Sequence, residues 1–385
     1  MNKMRVAAFV LSVLLAGICG CMNSAERTAR QKMAAIDDVA AEQVEKGNIP
    51  GAVISAGGAD KVYYLKAFGS EVVEPWREPA DTDTIFDLAS LSKPVATATS
   101  VLILRDRGRI DLDDRAAKYL PEFGCNGKEE VLIRHLLAHT SGLPAYTSAD
   151  PLKKAYGSPC PEKVIEKICS LNAASKPGEA FRYSCLGYIT LAKIVEVVSG
   201  EPLDAFAHKN IFQPLGMKHT MYNPPDALKE RVAATQIIDG APLRGTVHDP
   251  LARLMGGVSG NAGVFSTADN LAVYCRMLLN GGVYKGKRIL SREGVELLTG
   301  VQSHGRACGF DVSSSYAWLK GDHASAQAFC HSGYTGTSIV CDPEKQVFLI
   351  VLTNRAHPHD KGASKPLRTQ TANIVFGAFG NPQKP

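Results

Sequence analysis

The chain has 385 residues, of which 45% are hydrophobic and 21% charged, with 35 glycines and 21 prolines. These are ordinary globular proportions, which set aside disordered and fibrous classes and allow one large domain or two closely built ones. A formal charge of +5, with no block of Lys or Arg, lacks the concentrated basic footprint that nucleic acid requires.

The chain opens on Lys3 and Arg5, followed by an apolar run over 6–18. That run is short for a bilayer span and has the form of a signal-peptide core. It ends in Ile18-Cys19-Gly20-Cys21, which resembles a bacterial lipobox with Cys21 as the lipid-bearing residue. Cys19 fits worse, because bulky Ile18 would precede the cleavage. An ordinary signal peptide with incidental cysteines fits the same residues. No later stretch is long and apolar enough to cross a membrane. Ten cysteines leave room for disulfides in an exported protein. Cys160 with Cys169 and Cys330 with Cys341 are conceivable pairs, and no C-x-x-C offers a zinc-ribbon or thioredoxin signature.

The spacing of Met33, Ile36, Val39, Ala40 and Val44 predicts a helix over 29–45, stopped by Ile49-Pro50-Gly51. Strands follow over 52–56 and 62–68, joined by Gly57-Gly58-Ala59-Asp60. A helix opens near Ser90 and runs to Arg107, since its first turn tolerates Pro94. Residues 112–200 read as helical, with loops at 140–144 and 176–178, and end in an amphipathic helix over 188–198 closed by Ser199-Gly200. Residues 223–263 are irregular, and 271–279 is helical. The period then changes to strands over 326–330, 338–341 and 347–353, before a closing helix over 369–379. Strands at both ends around a helical middle predict an α/β (α+β) fold. Its antiparallel sheet is built from both chain ends and flanked by helices, with an all-helical subdomain inserted. No repeat or linker divides the chain.

Three places can carry chemistry. Ser90-Leu91-Ser92-Lys93 is the one S-x-x-K in the chain, and a spacing of three puts Ser90 and Lys93 on one helical face. A serine hydroxyl is inert until a neighbour takes its proton, and a lysine can do so if burial disfavours its cation. A helix cap beside a solvated lysine has the same four residues, so spacing alone does not decide. Phe181-Arg182-Tyr183-Ser184-Cys185 precedes a helix, where Tyr183 could shuttle a proton or simply pack. In His331-Ser332-Gly333-Tyr334-Thr335-Gly336-Thr337, Gly333 permits close backbone approach and the Tyr334 N–H could join that of Ser90 as an oxyanion hole. A plain hairpin turn is the alternative there.

The order and spacing of S-x-x-K, Y-S-x and H-S-G resemble the β-lactamase/penicillin-binding serine hydrolases. The likeness is to class C β-lactamases, D-Ala-D-Ala carboxypeptidases of the H-T-G type and related esterases. Leu136-Leu137-Ala138-His139-Thr140-Ser141-Gly142-Leu143-Pro144 resembles a loop of that family. So do Val247-His248-Asp249, the segment from Gly256 to Gly263, and Thr353-Asn354-Arg355. The resemblance covers about residues 30–380. The N-terminal residues give a signal peptide of lipoprotein type over 1–20, and the resemblance implies a hydrolase domain over 30–380. Within that domain it implies a sheet subdomain over 30–107 and 265–380 and a mainly helical one over 108–264.

Carried over by position, Ser90 is the acylated nucleophile, Lys93 and Tyr183 share the proton transfers, and His331 stands where relatives have a lysine. Cys185, Ser332 and Gly333 line the substrate site. No cofactor or metal is implied. The substrate is a small molecule or a peptidoglycan-derived amide, with small esters second. A lipid anchor at Cys21 implies a membrane partner and a place on the periplasmic side of the cell envelope, and the oligomeric state is left open. Two departures bear on substrate. Cys185 replaces an Asn able to donate to an amide oxygen, and a thiol donates poorly. His331, with an unperturbed pKa near ~6.5, is expected to be partly charged and replaces a permanent cation. Both argue against a true β-lactamase.

Two rivals remain. His135 and His139 have a zinc-compatible spacing but no H-E-x-x-H glutamate and no third ligand. His357 and His359 read as a polar loop. A catalytically silent sensor lipoprotein on the same fold is the other rival, though a pure binder has no need of a serine, its base and its proton shuttle together.

Overall fold

The computed structural model describes residues 24–379; Lys3, Arg5, the apolar run and Cys21 lie outside them. Helices α1 (Ser24–Met33) and α2 (Ala35–Glu45) lead into strands β1 (Gly51–Gly58), β2 (Val62–Val72) and β3 (Glu78–Pro79). The short strand β4 (Phe86–Asp87) and helix α3 (Thr99–Asp106) follow, then α4 (Pro161–Ser170) and α5 (Cys185–Ser199). After β5 (Met221–Tyr222), β6 (Val264–Ser266) and α6 (Ala268–Leu279), the chain closes with β7 (Phe329–Ser332), β8 (Ser338–Asp342), β9 (Val347–Thr353) and α7 (Lys365–Ala378).

The main sheet runs β7-β8-β9-β1-β2-β3, and every pairing in it is antiparallel. Its centre joins the two ends of the chain: Ala52 faces Thr353 on one side and Phe68 on the other. Strand alternation separates two apolar layers. Ala52, Ile54, Val347, Leu349 and Val351 pack with Met33, Ile36 and Phe376 of the terminal helices. Val53, Phe348, Ile350 and Leu352 face Leu271 and Tyr274 of α6 and the rest of the molecule.

The same alternation corrects two expectations. Cys330 belongs to the first layer and Cys341 to the second, so they sit on opposite faces of the sheet and are not bonded. Cys160 and Cys169 are likewise free thiols. The single helix expected over 29–45 is two helices meeting at Ala34. The long helical text of 112–200 breaks into short pieces, because Pro121, Pro144, Pro159 and Pro177 interrupt the hydrogen-bond ladder. Nor is the middle all-helical: β5 pairs with β6, which also pairs with β4 beside the S-x-x-K segment.

Candidate active site

The nucleophile segment is fixed from below by a buried carboxylate. Asp87 ends β4, and its Oδ1 and Oδ2 accept the backbone N–H groups of Ala89 (2.8 Å) and His248 (2.7 Å). Burial pushes this acid up to about 6. Ala89 takes a left-handed backbone (φ 45°), a conformation that costs an alanine on the order of 1–2 kcal/mol. A tight helical turn over Ala89–Leu91 presents Ser90, and a widened segment over Lys93–Ala98 leads into α3. Pro94 explains the widening: it has no N–H, and its ring would clash with the carbonyl one turn back.

Lys93 is wholly buried. Its Nζ donates to Ser90 Oγ at 3.0 Å, to the Asn261 carbonyl at 2.9 Å and to Cys185 Sγ at 3.5 Å. It also lies 5.0 Å from the Tyr183 ring centroid. Burial works against its cation, but Cys185, Tyr183 and Asp249 outweigh that, and the ammonium is held above its ordinary pKa. The expected burial-lowered lysine is therefore not what forms. Burial raises the Tyr183 phenol, while Lys93, a hydrogen bond with Ser90 and the guanidinium of Arg306 pull it back.

The Leu136–Pro144 stretch is the cradle for Tyr183. The His139 carbonyl accepts from Arg182 N (2.9 Å), and the Pro144 carbonyl from Ser184 Oγ (2.7 Å). His139 Nδ1 accepts from Ser184 N at 3.0 Å, and its ring stacks on Tyr183 at 4.3 Å. Ser184 also caps α5 by accepting from Gly187 N, so the helix starts directly behind Tyr183.

From the other side, β7 delivers His331, whose ring centroid is 6.1 Å from that of Tyr183. His331 is only 2% exposed, and burial, Arg306 and Lys93 hold it well below 6.5, so it is neutral at neutral pH. This replaces the expectation of partial charge. Gly333 presses the turn onto the nucleophile segment, where a Cβ would stand 2.3 Å from the Leu88 carbonyl. Thr335 and Thr337 hydroxyls donate to the carbonyls of Asp87 (2.8 Å) and Leu88 (2.9 Å). Ser332, half-buried, ends β7 and pairs with Ser338. Among the described residues, the N–H of Tyr334, which lies outside the helices and strands, makes no backbone hydrogen bond. The site thus brings together Ser90, Lys93, Tyr183, Cys185, His331 and the Gly333–Tyr334 turn.

His135 Nδ1, by contrast, accepts from Leu132 N at 3.2 Å. Among the described residues no cluster of three metal-ligating side chains forms.

Residues 36–373 match the family described as Beta-lactamase. The chain belongs to the β-lactamase family. It is 32% identical over 363 residues to a Bacillus subtilis protein named "N-acetylmuramyl-L-alanine amidase", covering 85% of this chain and 82% of that one. An Escherichia coli K12 protein named "Putative D-alanyl-D-alanine carboxypeptidase" is 31% identical over 359 residues, covering 83% and 82%. Among solved structures, EstCE1, a hydrolase with promiscuous acyltransferase activity, superposes with a TM-score of 0.73 at 23% identity, covering 91% of this chain and all of its own. The protein is a serine hydrolase of the β-lactamase fold.

Within this family fold, sequence reading missed Asp87, Arg306 and Arg368. Arg368 of α7, almost wholly buried, donates to the carbonyls of Gly333 (3.0 Å), Gly336 (3.2 Å) and Thr337 (2.8 Å), and so holds the Tyr334 turn. Arg306 is 0% exposed and sits behind Tyr183. Neither belongs to a periodic or motif-like pattern. Arg368 lies one residue before the closing helix expected from sequence, in a helix that also carries Lys365, Thr369, Gln370, Thr371 and Asn373, so no local pattern marked it.

Proposed function

We propose that this hydrolase works through an acyl-enzyme on Ser90. The observation that carries the reading is the 3.0 Å contact between Ser90 Oγ and the buried Lys93 ammonium, with Tyr183 beside both. Ser90 attacks a carbonyl carbon and passes its proton to the phenolate form of Tyr183, which the Lys93 ammonium favours before the transfer and which becomes the neutral phenol. Tyr183 returns that proton to the leaving group as the carbon–leaving-group bond breaks. Water then repeats the sequence in reverse roles, freeing the acid and Ser90. In this reading the N–H groups of Ser90 and Tyr334 form the oxyanion hole.

The substrate class we propose is a D-amino-acid or cell-wall peptide amide, with small esters as the second class. The names of the amidase and carboxypeptidase relatives support the first. Cys185, which offers no strong donor to an amide, favours the second. The neutral His331 argues against recognition of a carboxylate by charge. The proposal includes export by a leader over 1–20, anchoring at Cys21 and a place at the cell envelope. It also divides the hydrolase into a sheet subdomain (30–107 and 265–380) and a mainly helical one (108–264).

A fluorescent penicillin and a fluorophosphonate probe test the central claim. Labelling of the wild type that is lost in Ser90→Ala is the expected result. A wild type that no acylating probe labels would leave only a silent binding protein.

A further inference from the structure

Behind Tyr183 lies a charge that the acyl-transfer reading does not use. Arg306 comes from the loop before β7 and is wholly buried, its guanidinium carbon 5.7 Å from the Tyr183 ring centroid and 5.8 Å from that of Phe181. Its Nη1 forms an ion pair with Asp311 Oδ2 at 2.5 Å without hydrogen-bond geometry, and its Nε and Nη2 have no hydrogen-bond partner. Asp311 is itself pinned: its N–H and carbonyl exchange 2.8 Å hydrogen bonds with Cys330, the residue before His331. A hydrogen bond from Ser314 holds its other oxygen. A buried ion pair is poor evidence for stability, because desolvation offsets its attraction. A role at the neighbouring phenol accounts better for a guanidinium left without its full set of partners.

We infer that Arg306 is a positioning residue for Tyr183: held by Asp311, its fixed positive charge favours the form of the phenol that accepts the Ser90 proton. This rests on Tyr183 being the proton-transfer group proposed above. Other groups face Tyr183 as well. Lys93 comes from the nucleophile helix, Cys185 and Tyr188 from α5, and His139 from the cradle loop. His331 comes from β7, and Tyr316, stacked at 5.4 Å, from the loop that carries Arg306. Both histidines are held neutral, in part by Arg306 itself. That leaves Lys93 and Arg306 as the cations of the cluster, 5.0 Å and 5.7 Å from the Tyr183 ring centroid. Lys93 contacts Ser90 directly, whereas Arg306 contacts no reacting atom.

The test is the pH profile of acylation by a p-nitrophenyl ester in wild type, Arg306→Met, Arg306→Lys, Asp311→Asn and Tyr183→Phe. Circular dichroism and thermal melts accompany each profile. Its acid limb reports the group that must be unprotonated, here the Tyr183–Lys93 pair. Arg306→Met should move that limb upward by about one pH unit or more, about a tenfold loss of competent enzyme at neutral pH that higher pH restores. Arg306→Lys keeps the charge and should leave the limb near that of wild type even if its melt is lower. Asp311→Asn removes the opposing anion and should move the limb downward, the opposite sense to Arg306→Met. A merely structural role would lower rates without these opposed shifts. Folded Arg306→Met or Asp311→Asn protein with an unmoved limb overturns the inference. If Arg306→Met does not fold, the decision rests on Asp311→Asn. If neither folds, an Arg306→Lys limb displaced as far as about one unit overturns it, and an unmoved one supports it. Should Tyr183→Phe keep both the rate and the limb, the underlying reading of Tyr183 fails instead, which is a separate result.

Discussion

His331 shows how burial decides what a residue can recognise. Packed against Phe310 and Tyr183 and next to the charge of Arg306, it stays neutral where an exposed histidine would begin to charge. A substrate with a free carboxylate should therefore gain nothing on acidification through pH ~6.5. The ratio of KM for a D-Ala-D-Ala peptide to that of its methyl ester should stay flat from neutral pH to mildly acidic pH. A ratio that falls about tenfold would mean that His331 charges in that range. Cys185 makes the second residue-scale prediction. Cys185→Asn supplies an amide N–H donor next to Lys93, so turnover of peptide amides should rise relative to p-nitrophenyl esters. A ratio unchanged from wild type would remove Cys185 from the specificity argument. Gly333 makes the third. In Gly333→Ala the new Cβ would meet the Leu88 carbonyl at 2.3 Å, so backbone must shift on one side of the site. Rates should fall about a hundredfold, as misplacement of reacting groups by about 1 Å does. Wild-type rates in a folded Gly333→Ala protein would contradict the close packing described.

At the scale of elements, the Tyr334 turn is held from outside by a helix that no catalytic motif marks. Removing the Arg368 donors in Arg368→Met leaves the Gly336 carbonyl without its donor, at a cost of about 1–3 kcal/mol, while the Gly333 and Thr337 carbonyls lose one of two donors and keep the N–H groups of Gly336 and Gly333. A lower melting temperature with a lower kcat is expected. A melt within a degree or two of wild type would show that water replaces the guanidinium.

The sheet strands were readable because their apolar runs are bounded by turn residues, and S-x-x-K was readable because its spacing is local. The break at Ala34 was not, since the apolar spacing from Met33 to Val44 continues across it. The helical middle was overread because prolines outweigh a weak 3.6-residue pattern. Arg306 and Asp311 escaped notice for another reason: they sit in irregular chain, and their meaning depends on Tyr183, more than a hundred positions away.

For the whole molecule, buried neutral histidines set the acid limit of stability. Burial holds His139 and His331 well below their ordinary value and His357 at about 4. In the unfolded chain each returns to ~6.5 and binds a proton more readily, so stability present above that pH is lost as pH falls below it. Asp87, pushed up to about 6, acts in the opposite sense between that value and its unfolded ~3.9, as does Glu71, also raised by burial, but they are two acids against five histidines, since burial lowers His135 and His248 as well. The denaturant midpoint should therefore be lower at pH 5 than at pH 7.5, and equal midpoints would contradict the burial of these rings.

The central pairing of β1 with β9 also sets a timetable for synthesis. β1 ends at Gly58, and its partner begins at Val347. At about 5–20 residues per second, the ribosome needs on the order of tens of seconds to supply the missing neighbour. Through that interval an apolar strand waits with an open edge, and the sheet cannot close while translation continues. A chain whose sheet is completed by its last strands is obliged to fold late in its own synthesis.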